Sequence, residues 1–121
     1  MILPTVQYPD AYSMLISWTY WDEIGEGGAV SVSAWPRFCW QFTGDNAGNC
    51  ELDIYGTNEG LQATCWGLLT TLMMPIRDRL HDPFVNGHEL PIPGAVKPII
   101  RGTSVPGNNL AVNLFCTKLF A

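Results

Sequence analysis

The chain has 121 residues, 47% of them hydrophobic and only 14% charged, with a formal net charge of −5. This length fits one domain spanning residues 1–121, long enough to bury a core of its own. The six basic residues, Arg37, Arg77, Arg79, Lys97, Arg101 and Lys118, are scattered, which argues against a grip on a nucleic-acid backbone. An average domain is about 25% charged. The shortage implies that other protein subunits cover part of the surface. The five Trp residues point the same way, because aromatics are enriched at interfaces.

The start, MILPTVQYPD, has no basic segment and no long apolar core, so it does not read as a signal peptide. No run approaches eighteen apolar residues, so no membrane-spanning helix is expected. Cys39, Cys50, Cys65 and Cys116 form no CxxC, which argues against a zinc knuckle or a thioredoxin-like motif. Cys65 and Cys116 fall on predicted apolar faces, and all four thiols are expected to be reduced.

Asp10 is placed to cap a first helix over 11–21, with Met14, Leu15, Trp18 and Trp21 near helical spacing. Gly25-Glu-Gly-Gly28 is a turn. Residues 29–35 alternate, with Val30 and Val32 on one face and Ser31 and Ser33 on the other, as a half-buried strand does. Pro36 interrupts it. Residues 37–43 alternate again, with Phe38, Trp40 and Phe42 on one aromatic face. Residues 44–49 read as a hairpin connection to an antiparallel strand from Cys50 to Tyr55, with Leu52 and Ile54 on one side and Glu51, Asp53 and Tyr55 on the other.

Thr57 or Asn58 is a good N-cap, with Glu59 in the first turn. Leu61, Cys65, Leu68, Leu72, Ile76 and Leu80 then recur every three or four residues, so a long helix is predicted over about 58–80, interrupted at Pro75. Residues 82–98 hold four Pro and two Gly and read as a long loop. A short strand at Ile99-Ile-Arg and a last one over 110–119, with Leu110, Val112, Leu114 and Cys116 on one face, close the chain. The order α-β-β-β-α-β-β predicts an α+β fold, a mainly antiparallel sheet with the long helix and the short N-terminal helix packed on one face.

Residue chemistry yields no enzyme. Gly56-Thr-Asn-Glu-Gly60 lacks the Gly-Lys-Ser/Thr of a phosphate loop, and a capped turn explains it. His81, Asp82, His88 and Glu89 match no metal template. A Cys39–His81 pair would have to be assembled in space. Asp45, Glu51 and Asp53 could pair as glycosidase carboxylates, or simply face solvent on a hairpin. No catalytic, cofactor or metal residues are therefore assigned.

The segment Asp53, Ile54, Tyr55, Gly56, followed by Glu59, Leu61, Cys65, Leu68 and Leu72, resembles the strand-into-helix motif of tail-terminator and tail-completion proteins of long-tailed bacteriophages. Gly60 stands where that family commonly has Ala, and Pro75 lies within its helix. The resemblance implies a virion protein assembled in the host cytoplasm. It implies a homo-oligomeric ring, a hexamer, at the head-proximal end of the tail tube, joined to the neck and passing DNA without specific binding. The alternative is a small oligomeric α+β ligand-binding or interaction domain, in which Phe38, Trp40 and Phe42 line an apolar pocket. The loop residues Phe84, Val85, Leu90 and Ile92 are expected at a subunit interface, the alternative being a loop folded back over its own sheet.

Overall fold

The computed structural model describes residues 1–21, 25–44, 50–74, 84–86, 93–102 and 109–120. Among these there is no helix. The elements are ten strands: β1 (Thr5–Asp10), β2 (Ser13–Trp21), β3 (Gly25–Glu26), β4 (Val30–Ser31), β5 (Arg37–Gly44), β6 (Cys50–Thr57), β7 (Gly67–Met74), β8 (Phe84–Asn86), β9 (Ala95–Gly102) and β10 (Asn109–Thr117). The α+β expectation is therefore corrected to an all-β fold.

Two antiparallel sheets share the strands. The first runs β1-β2-β10-β5-β8; the second runs β3-β9-β6-β7, with β4 also on β9. The pairings follow one rule. If the chain is drawn as a single long hairpin turning at residues 58–66, then β6 meets β7, β5 meets β8, β3 and β4 meet β9, and β2 meets β10. Rolling that hairpin adds two more contacts, β10 with β5 and β9 with β6. A rolled hairpin with successive arms on alternate sheets is a jelly roll, an architecture that limits exposed sheet edges by stacking two sheets.

Period-two alternation builds the core. Met14, Ile16, Trp18 and Tyr20 of β2 point inward, as do Phe38, Trp40 and Phe42 of β5 and Leu110, Val112, Leu114 and Cys116 of β10. Leu52 and Ile54 of β6 and Ile100 of β9 meet them from the second sheet. Trp18 and Trp40 stack with ring centroids 5.6 Å apart. The aromatic row of β5 thus packs in the interior of the sandwich.

The strand formed by β3 and β4 breaks at Gly27. A Cβ there would lie 2.7 Å from the Pro98 ring and 2.8 Å from the Trp18 ring, so only glycine fits between them. Residues before β1 cover this broken edge: Ile2 donates its N–H to the Glu26 carbonyl and accepts from Gly28 N–H.

Two helix expectations fail for identifiable reasons. Residues 13–21 alternate with period two through Met14, Ile16, Trp18 and Tyr20, and Asp10 Oδ1 accepts the Tyr12 N–H at 2.7 Å in the β1–β2 turn rather than capping a helix. Between Ile54 and Tyr55 the β6–β7 register slips by one, so Thr70 opposes Ile54, Leu68 opposes Tyr55 and Leu69 is the extra residue. The bulge turns both Leu69 and Leu72 toward the core, three residues apart, which imitates a helical stripe. Leu68, assigned by that stripe to a buried face, is 56% exposed. The strand from Cys50 exists, but it pairs with β7 and β9 rather than with β5.

Leu52→Ala should therefore lower stability by about 2–5 kcal/mol, whereas Leu68→Ala should stay within about 0.5 kcal/mol of wild type. Thermal or denaturant unfolding of the two variants checks this; equal losses would contradict the strand register.

Candidate functional site

The two sheets present very different outer faces. On the first sheet the outward residues form rows across β2, β10 and β5. Leu15 and Cys39 flank Phe115 in one row; Ser17 and Gln41 flank Asn113 in the next. Phe115 is 42% exposed at the centre. Ser17 Oγ donates to Asn113 Oδ1 at 2.8 Å. Leu15, Cys39, Gln41, Asn113 and Phe115 line a depression of about 400 Å³. Among the described outward side chains of these three strands, the charged one is Arg37, at the end of β5.

The second sheet carries the charge. Asp53 Oδ2 accepts from Arg101 Nε and Asp53 Oδ1 from Thr71 Oγ1, both at 2.8 Å. Burial pushes the Asp53 carboxyl up, but the bonds from Thr71, Glu51 and Arg101, with the Arg101 charge, outweigh it and hold the carboxyl below the usual range. Its neighbour Glu51 is raised by its hydrogen bond to Asp53 and by the Asp53 charge. The Asp53 carboxylate is committed on both oxygens, to Thr71 and to Arg101, as a structural ion pair is. This cluster pins β6 to β7 and β9.

The connection over 58–66 holds itself together. Glu59 N–H donates to Thr57 Oγ1, Ala63 N–H to the Gly60 carbonyl, and Trp66 Nε1–H to the Ala63 carbonyl. Gly60 has φ +90°, which suits glycine. Asn58 Oδ1 accepts from Gly94 N–H at 3.1 Å. Thr57 and Asn58, read from sequence as helix caps, cap no helix: Thr57 Oγ1 takes a turn N–H, and Asn58 Oδ1 ties the turn to Gly94 ahead of β9. Trp66 faces Lys97 of β9, whose ammonium lies 4.4 Å from the ring centroid and 2.8 Å from Glu26 Oε1.

Of the expected interface residues, Phe84 and Val85 lie on β8, opposite Gln41 and Trp40 of β5, so that part of the loop is a strand. Leu90 and Ile92 lie outside the described residues, as do Asp45, His81, Asp82, His88 and Glu89. Among the described residues no group of three or more His, Cys, Asp or Glu side chains could hold a metal. From sequence, Glu51 and Asp53 are raised as a possible carboxylate pair and Gly56–Gly60 as a capped turn, but Thr71 and Arg101 as partners of Asp53, and Trp66 as partner of Lys97, are not anticipated.

The four cysteines are unbridged. Burial pushes the Cys116 thiol up to about 12 and raises Cys39 as well, so neither is a ready thiolate. Cys65, expected on a buried face, is exposed.

Neither a protein-family model nor a curated protein matches the chain. Among solved structures, a cupin domain from Bordetella pertussis Tohama I is similar over 97% of this chain and 93% of that one, at 14% identity and a TM-score of 0.46. The jelly-roll assignment rests on the strand pairings.

Two measurements probe these faces. A carboxyl with a raised pKa binds its proton more tightly when folded, so Glu51 adds stability as pH falls from neutral through its raised value. Asp53 is the reverse: its contribution is full above the ordinary carboxylate pKa and is lost as pH falls through its depressed value. Gln at position 51 mimics the protonated acid. Glu51→Gln should melt higher than wild type at pH 7 and converge with it in mild acid; a constant difference across pH would contradict the coupling. In thiol labelling, Cys65 should react first, Cys39 more slowly, and Cys50 and Cys116 only on unfolding, with four thiols counted in denatured, unreduced protein.

Proposed function

We propose that the protein is a small jelly-roll interaction module, a binding and assembly subunit rather than an enzyme, and that it docks a second copy through the outer face of its first sheet. The observation that carries this is the absence of charge from the described centre of that face, against five charged side chains, Glu26, Glu51, Asp53, Lys97 and Arg101, on the described part of the other. Each copy carries −5, so two copies repel across most orientations. Stacking the uncharged faces about a two-fold axis places Phe115 and Leu15 against their own kind and hides the apolar depression. Uncharged, partly apolar centres are what protein interfaces select.

A finer reading carries the assembly into a virion ring, as the tail-completion resemblance implies. The strand-to-helix segment that suggested that family is a strand, a turn and a strand, so the ring reading leans instead on two other features. Jelly rolls build viral capsid domains, an argument from fold analogy. All six residues of β1 are exposed on one outer strand of the first sheet, with the unlike strand β8 on the other. Unlike edges can pair head to tail and close a ring.

Solution mass tests the proposal. Wild-type protein should weigh at least twice the 13.4 kDa of the chain, and Phe115→Lys should fall to the single-chain mass with little change in melting temperature. A wild type that stays at 13.4 kDa at every concentration would overturn self-docking. Closed rings in electron micrographs would favour the finer reading.

A further inference from the structure

The two outer edges of the second sheet are built differently. One is formed by β3 and β4, broken at Gly27 and covered by Ile2 through two backbone hydrogen bonds. The other is β7, which among the described strands pairs with β6 alone. An antiparallel strand turns the N–H and C=O of alternate residues to each side, so every second residue of β7 has backbone groups that no described strand pairs. Native edges of this kind are guarded by Lys, by Pro, by shortness or by a cover. β7 is eight residues long, GLLTTLMM, with no charge and no Pro. Its bulge at Leu69 disturbs one end, and from Thr70 to Met74 the register with β6 is regular.

The core is unfinished along the same edge. Leu69 and Leu72 pack against it yet are only partly buried, whereas Leu52 and Ile54 of the adjacent β6 are fully buried. One added strand would pair the backbone and cover both leucines. Charge decides which strand fits. A chain of net charge −5 repels acidic segments, and β7 offers no charged side chain to meet one on an incoming strand. The fit is a neutral strand, and β7 itself is one. Turned antiparallel about a two-fold axis at Leu72, the run Thr70–Met74 is self-complementary: Leu72 opposes Leu72, Thr71 opposes Met73 and Thr70 opposes Met74. All five regular residues pair, inward positions meet inward positions, and the bulge stays outside the contact. We propose that β7 pairs with β7 of a second copy in this register, joining two second sheets into one continuous sheet. The contact lies on a different surface from the first-sheet docking face. One two-fold contact stops at two copies, whereas two different ones on the same chain link pairs into larger assemblies. That growth rests on the docking reading; the β7 contact does not.

The test is made in Phe115→Lys, which disables the first-sheet contact. A single short strand pairing is weak against the cost of association, with a Kd of about 1 mM expected, so dilute Phe115→Lys stays single. In a mixture of ¹⁵N-labelled and ¹³C-labelled full-length Phe115→Lys at about 1 mM, intermolecular nuclear Overhauser contacts should join Leu72 to Leu72 and Thr71 to Met73, and should fade on dilution. Adding Thr71→Lys, a charge at an exposed edge position, should weaken them severalfold. Thr71→Val loses the same bond to Asp53 without adding charge and should keep them. Should Thr71→Lys unfold, the labelled mixture and Thr71→Val still decide. The proposal is overturned if no intermolecular contact reaches β7, if β7 meets any strand other than β7, or if Thr71→Val loses the contact. Contacts between β7 strands in a protein whose wild type never forms the first-sheet pair would remove the docking reading and leave this one standing.

Discussion

The indole N–H of Trp18 reaches from the first sheet to the carbonyl of Gly28, 2.9 Å away, beside the broken edge strand of the second. Much of the sandwich is arranged around that reach. It satisfies the polar atom of a fully buried ring, and it fixes how far apart β2 and the β3–β4 break can stand. Gly27 has no side chain because the Trp18 and Pro98 rings occupy the space a Cβ would need. The Trp18–Trp40 stack then carries the same spacing to β5 across β10. Trp40, by contrast, has no partner for its Nε1–H among the described residues, and accepts a desolvation cost in exchange for filling the centre.

Around this core the two exteriors are specialised. Side chains of the second sheet satisfy one another: Asp53 serves Thr71 and Arg101, and Lys97 serves Glu26 and Trp66. The centre of the first sheet is left with amides, a hydroxyl, a thiol and Phe115. Among the described residues, charge is thus unevenly placed between the two outer faces, sparse at the centre of the first sheet and gathered on the second.

Strands with strict alternation could be read directly. β5, the inward and outward sides of β6, and the inward face of β10 follow from residues 37–43, 50–55 and 110–116, because one face is buried and the other is not. What could not be read was which strands are neighbours. The short polar stretch between β5 and β6 suggests a hairpin, yet the chain changes sheets there, and nothing in the local residues records it. β7 was hidden by its bulge at Leu69, which converts period two into a spacing of three, and β2 by an early Asp that looks like a helix cap. The contact of Trp66 and Glu26 with Lys97 was illegible for a different reason: the three residues are far apart in the chain and meet only after β3 and β9 pair.

The rolled hairpin also sets how the chain must find its fold. Apart from the neighbours β1–β2 and β6–β7, every strand pair joins segments well separated along the sequence. Topologies of this kind fold in milliseconds to seconds, because each distant pairing pays its loop-closure entropy before any contact repays it. The self-bonded turn over 58–66 sits at the apex, where the two arms begin to meet. It is the natural starting point for zipping, so a residue's place in the folding order should follow its distance from Gly60 rather than its distance from either end. While the arms close, the uncharged centre of the first sheet is exposed on an incomplete sheet, with no like charges there to hold off premature association.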